Sequence, residues 1–190
     1  MNEPATRDRI AEIAADLFYQ QGFEHTSFAD IAEKVNISRG NFYHHFKSKD
    51  DILQAVIDIR LARTQAMLEQ WERESASPAE RIKCYVRIVL TNWNKIKHYG
   101  CPVGTLATEL SKLDHLSHKD AQKVFILFRK WLAAQFKQLG HDSDADNYAM
   151  RVLSWSQGVS TLGHAFGDKR FVEKEVNEMC EWVDSCRVNN

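Results

Sequence analysis

Apolar side chains recur along this chain at intervals of three and four residues and almost nowhere in alternation. That spacing lines one face of a helix and argues against strands. Ile10, Ile13, Ala14, Leu17 and Phe18 mark a first helical face, which Gly22 ends. Phe28, Ile31, Ala32 and Val35 mark a short second helix, with Thr26 or Ser27 as its N-cap and Asn36 as a residue suited to leaving it. Ser38 then caps a third helix, and Phe42 and Phe46 form its inward face. A long helix follows over 53–71.

Start and stop signals punctuate the rest. Ser77-Pro78-Ala79-Glu80 reads as a capping box with proline at the first helical position, opening a helix that runs to about Gly100. Ser117 to Asp120 and Ser143 to Asp146 repeat the Ser-x-x-Asp form, and Gly140 closes the helix between them. The expectation is an all-α protein of about nine helices, their ends uncertain by a few residues. It divides into an N-terminal helix-turn-helix domain, 1–50, and a larger helical domain, 51–190.

The composition is globular, 44% hydrophobic and 27% charged, with no apolar run long enough to span a bilayer and no secretory leader pattern. Four cysteines at irregular spacing read as reduced thiols in a cytoplasmic protein without membrane partners. The net charge of −1 gives no general affinity for nucleic acid. Locally the picture changes. Residues 34–49 hold Lys34, Arg39, Lys47 and Lys49 and no acid. Rotation about the third helix puts Gly40 and His44 opposite the Phe42/Phe46 face, with Asn41 and Tyr43 on the flanks and His45 beside the core face. A glycine there costs about 1 kcal/mol relative to alanine, which makes sense where a flat surface must approach the backbone. The outward face offers a guanidinium, an amide, a phenol and an imidazole, groups suited to base edges and phosphates.

The stretch TRDRIAEIAADLFYQQGFEHTSFADIAEKVNISRGNFYHHFKSKDDIL, residues 6–53, resembles the DNA-binding module of TetR-family transcriptional repressors. The resemblance implies a homodimer on a palindromic double-stranded DNA operator, released when a small-molecule effector enters the C-terminal domain. Carried over by position, it implies base-facing roles for Arg39, Gly40 and Asn41. Thr26, Tyr43, His44 and Lys49 would meet phosphates, with Ser27 beside them at the start of the second helix.

In the larger domain Trp93, Trp131 and Trp155 are expected around an apolar cavity, because an indole rarely fills a core without a polar partner. Val152, Ser154, Trp155, Gly158, Thr161 and Ala165, with Val172, Val176, Met179 and Val183 on the last helix, are expected to form a four-helix interface between two copies. Cys101, between Gly100 and Pro102, is expected near a helix N-cap, where a thiol gains thiolate character. It supports an alternative reading as an oxidant or electrophile sensor, against an inert packed cysteine. His115, His118 and His141 lack the spacing and carboxylates of a metal site, and no metal or cofactor is expected. No nucleophile–base motif points to an enzyme, and a protein that merely shapes DNA would be strongly basic.

Overall fold

The computed structural model describes residues 6–187, apart from the Arg39 side chain. All the regular structure in this range is helical: α1 (Thr6–Gln21), α2 (Phe28–Val35), α3 (Arg39–His45), α4 (Lys49–Glu74), α5 (Pro78–Thr91), α6 (Trp93–Tyr99), α7 (Gly104–Lys112), α8 (His118–Ala121), α9 (Lys123–Gln138), α10 (Ala145–Phe166) and α11 (Lys169–Ser185). Single residues, Asn92 and Gln122, separate α5 from α6 and α8 from α9. Joining those pairs gives the nine helical rods that the sequence pattern predicts.

The chain forms two compact units. The first runs to Arg63 and takes in Pro102–Lys123, and the second comprises Thr64–Cys101 with the remainder from Val124. The helix-turn-helix unit is therefore not confined to 1–50. It recruits a segment from the middle of the chain.

In the first unit α1 buries Ile10, Ala11, Ala14 and Phe18, and α2 buries Ile31, Ala32 and Val35. Phe42 and Phe46, each 1% exposed, complete this core, and Ile52, Leu53 and Val56 of α4 are buried as well. Local chemistry fixes the boundaries. Ser27 is the N-cap of α2 in a full capping box with Asp30, and Asn36 leaves the helix in the left-handed conformation at φ 58°. Ser48 and Asp51 make the same reciprocal pair before α4, each accepting a backbone N–H at 3.0 Å. Hydrogen bonds from the backbone of Lys47 and Ser48 hold the Asp51 carboxyl below its ordinary range.

In the second unit α11 lays Val172, Val176, Met179 and Val183 onto the helices of the same chain, all of them buried. α5 contributes Ile82, Tyr85, Val86 and Val89, and α10 contributes Val152, Ser156 and Val159. Gly163 permits the closest approach, since a Cβ there would lie 2.7 Å from Val172 Cγ2 and 3.1 Å from Trp93 Cζ3. Ser156 Oγ donates to the Leu153 carbonyl at 2.7 Å, so the Tyr85 phenol donates to Ser156 at 2.9 Å. Burial holds that phenol far above its ordinary pKa. Lys83, also buried, reaches Glu80 at 2.6 Å and Asp184 at 3.0 Å, tying α5 to α11.

Two boundary expectations need correction. The N-cap before α10 is Asp144, and the carboxylate of Asp146 pairs with Arg129 instead of capping from the Ser143 register. Cys101 does not cap α7, which starts at Gly104 with Val103 as its cap.

Candidate nucleic-acid interface

α2, the turn at Asn36 and Ile37, and α3 form the helix-turn-helix. Ser38 starts α3 by accepting the Asn41 N–H at 3.3 Å. With Phe42 and Phe46 turned inward, Gly40, Asn41, Tyr43 and His44 are all exposed, as their angular positions predict, and His45 is intermediate. A Cβ on Gly40 would meet nothing within 4 Å. No packing among the described residues accounts for the glycine. Arg39 occupies the first position of α3, and its side chain lies outside the described residues.

Tyr43, 50% exposed, lies flat against Phe28 with ring centroids 5.6 Å apart and planes 13° apart. Its backbone carbonyl accepts the Lys47 ammonium at 2.6 Å. His44 meets His45 edge to face at 5.3 Å. Ser27 is exposed, its hydroxyl occupied by the Asp30 N–H at 3.1 Å.

Two phosphate assignments do not survive. Thr26 is 0% exposed, and its hydroxyl donates to the Gly22 carbonyl at 2.7 Å while accepting from Gln21 at 3.2 Å. It closes the loop after α1 and presents nothing outward. Lys49 turns back on its own unit. Its ammonium donates to the Phe23 and Glu24 carbonyls at 3.0 and 3.3 Å and lies 4.3 Å from the Phe23 ring centre.

The same loop is held from its other side by a residue that the sequence pattern does not single out. Glu109 of α7 accepts the N–H groups of Phe23 and Glu24, both at 2.9 Å. Gly22, at φ 94°, lets the carboxylate come close, since a Cβ there would lie 2.9 Å from Glu109 Oε1. His115 adds a contact to Asp50 at 3.3 Å and accepts the Ser117 N–H through Nδ1. Because this clamp joins residues more than eighty positions apart, no local motif reveals it.

The remaining site residues belong to the second unit. Trp93 is buried against the Gly163 face of α10. Trp131 donates its indole N–H to Glu72 at 2.8 Å and lies 5.8 Å from Trp71, and Trp155 donates to Glu175 at 3.3 Å. Each indole thus has its own set of partners. Cys101 is half-buried, but it lies two residues before the α7 cap, so it lacks the N-cap position that argued for an activated thiol. Among the predicted interface residues, Val152, Val172, Val176, Met179 and Val183 are buried in their own chain and are corrected to core. Ser154, Gly158, Thr161 and Ala165 are not: all four are exposed, and Trp155 is intermediate. His118 meets Gln122 and His141 meets the Cys186 carbonyl, and the described residues contain no cluster of metal-ligating side chains. No described helix is long and apolar enough to cross a membrane.

Residues 10–56, spanning the helix-turn-helix, match the family described as "Bacterial regulatory proteins, tetR family". The chain is 34% identical over 166 residues to the HTH-type transcriptional regulator TtgR of Pseudomonas putida, covering 81% of this chain and 78% of the relative. It is 31% identical over 136 residues to an HTH-type transcriptional regulator in the lacX 3′ region of Lactococcus lactis, covering 70% and 69% of the two chains. It is 29% identical to the HTH-type transcriptional repressor KstR2 of Mycolicibacterium smegmatis over 63% of this chain and 57% of that one. A TetR transcriptional regulator from Legionella pneumophila superposes with a TM-score of 0.85 at 28% identity, over 99% of this chain and 100% of the other. The outward row of α3 sits in a helix-turn-helix whose likeness continues through most of the chain, and the chain belongs to the TetR family of bacterial transcriptional regulators.

Proposed function

We propose that the protein is a repressor that binds a palindromic operator as a homodimer and is released by a small, mainly hydrophobic effector. The observation that carries the reading is α3. Its core face is closed by Phe42 and Phe46, while Gly40, Asn41, Tyr43 and His44 stand exposed with no side chain filling the gap at Gly40. A groove wall can come against such a surface, and Arg39 and Asn41 carry the donors that read guanine and adenine edges. Tyr43 and His44 would meet phosphates, and Ser27 stands at the start of α2 beside them.

The homodimer is supported by α10. Ser154, Gly158, Thr161 and Ala165 form an outward row of small residues, flanked by Met150, Leu162 and Phe166, of which Phe166 is 75% exposed. An apolar helix face left in water suits a second copy about a two-fold axis, and a two-fold protein suits a palindrome. The effector belongs to the second unit, at the Trp71–Trp131 pair. There Glu72, Gln135 and Arg81 supply polar groups, and Arg81 Nε is buried without a hydrogen-bond partner among the described residues. That guanidinium would give a mainly hydrophobic effector one donor to orient it.

The test is a gel shift with the DNA flanking the protein's own gene. Arg39→Ala should cost about 1–3 kcal/mol of discrimination between that DNA and a scrambled duplex. Equal weakening on both duplexes would contradict base reading by Arg39.

A further inference from the structure

We infer that Phe28 is a positioning residue for DNA binding, a platform that holds the Tyr43 phenol where a phosphate oxygen meets it. The inference rests on the reading of α3 as the DNA-facing helix.

An exposed tyrosine ordinarily samples several rotamers, and a hydrogen bond made from such a side chain is weakened by the entropy of ordering it. Tyr43 is half exposed, yet its ring is held. It lies parallel to Phe28, offset at 5.6 Å, an arrangement that aromatic pairs favour. Phe28 is itself fixed, because its ring meets the edge of Phe42 at 5.1 Å and 71°, and Phe42 is 1% exposed. Order therefore passes outward in two steps, from the core to Phe28 and from Phe28 to Tyr43.

Other neighbours do not take over this role. A cavity of about 260 Å³ opens beside the stack, lined by Phe28, Ala29, Ala32, Phe42 and Tyr43. The two alanines are too short to close on the phenol ring, and Phe42 meets it edge to face at 6.4 Å and 83°, a longer contact that leaves the flat side of the phenol to Phe28. Phe28 follows the N-cap of α2 directly, so the stack also crosses the turn between the two helices. Leucine in its place would fill similar space without offering a flat face, and the phenol would be released toward the cavity.

The chemistry gives the effect a signature. A phenol is a neutral donor, so its bond to a phosphate adds affinity on any sequence without displacing a counterion. Loss of the platform should weaken binding to all DNA alike and leave the salt slope unchanged.

The test uses the full chain and a labelled duplex of arbitrary sequence, read by fluorescence anisotropy well below the melting temperature of each variant. Tyr43→Phe should weaken binding, and Phe28→Leu should weaken it about two- to tenfold, the range that aromatic stacking supplies. Phe28→Leu added to Tyr43→Phe should cause no further loss, and Phe28→Tyr, which keeps a flat ring, should bind as the parent does. If the leucine variant does not fold, Phe28→Met takes its place. The same fold-loss from Phe28→Leu in the parent and in the Tyr43→Phe variant, or no loss in either, would overturn the platform. Tyr43→Phe without effect would instead overturn the phosphate contact, and the platform with it.

Discussion

Thr26 and Ser27 show how much one position matters. Both are short hydroxyl residues before α2, and sequence alone allows either as its cap. Ser27 takes the cap with Asp30, and Thr26 is drawn inside to bond Gly22. Thr26→Val keeps the shape and deletes the hydroxyl. It should destabilise the fold by about 1–3 kcal/mol in urea denaturation, because the Gly22 carbonyl loses a buried partner. The affinity of the folded variant for DNA should not move, and weaker binding to all sequences alike would return Thr26 to the phosphates. Lys49 is the complementary lesson. Its place in a basic stretch was legible, but the carbonyls it binds belong to a loop 25 and 26 residues away. Glu109 was invisible for the same reason, being an ordinary helical acid until the chain folds.

Helices were the most legible elements, because caps and periodicity are local. Ser27, Ser38 and Ser77 all start helices where the pattern put them. What covers each helix was harder to read. The Val172, Val176, Met179 and Val183 row on α11 is regular enough for either an interface or a core, and periodicity says only that the face is covered. The structure buries it in its own chain. The same ambiguity separated two glycines. Gly163, not Gly158, is the internal close approach. Gly163→Ala should overpack and lose about 1–3 kcal/mol in thermal or urea unfolding. Gly158→Trp should leave the monomer fold intact and shift sedimentation toward monomers. Dimers that survive Gly158→Trp would remove α10 from the proposed interface.

The α5–α11 tie also has a pH signature. The hydrogen bond from Lys83 holds the Asp184 carboxyl below its ordinary range, and Arg187 adds to this. Desolvation pushes Lys83 down, but its bonds to Glu80 and Asp184 outweigh that and raise it. For Asp184 the folded value lies below the unfolded one. Its contribution is therefore present above about pH 4 and is lost as pH falls through the folded value. Asp184→Asn should be less stable than the parent at neutral pH, and the gap should close in acid. A gap that stays constant across pH would mean that the Lys83 charge is not balanced through Asp184.

At the scale of the whole molecule, the account joins a helix-turn-helix unit, completed by a segment from mid-chain, to a larger helical unit. The fold class and the α3 face were readable because both rest on local pattern. The surroundings of the tryptophans were not, because Trp93, Trp131 and Trp155 are each buried or partnered in a different setting. The central claim is that α3 is shaped by DNA and not by its own core, and Gly40 isolates it. A Cβ there meets nothing within 4 Å among the described residues, and leucine is a better helix former than glycine by up to about 1 kcal/mol. The direct measurement is the affinity of Gly40→Leu for the DNA flanking its own gene, with urea denaturation of the same sample. The account predicts a fold as stable as the parent or more so, with operator affinity lowered toward the nonspecific level, a loss on the order of a thousandfold or more. Unchanged operator affinity in a folded Gly40→Leu would contradict it.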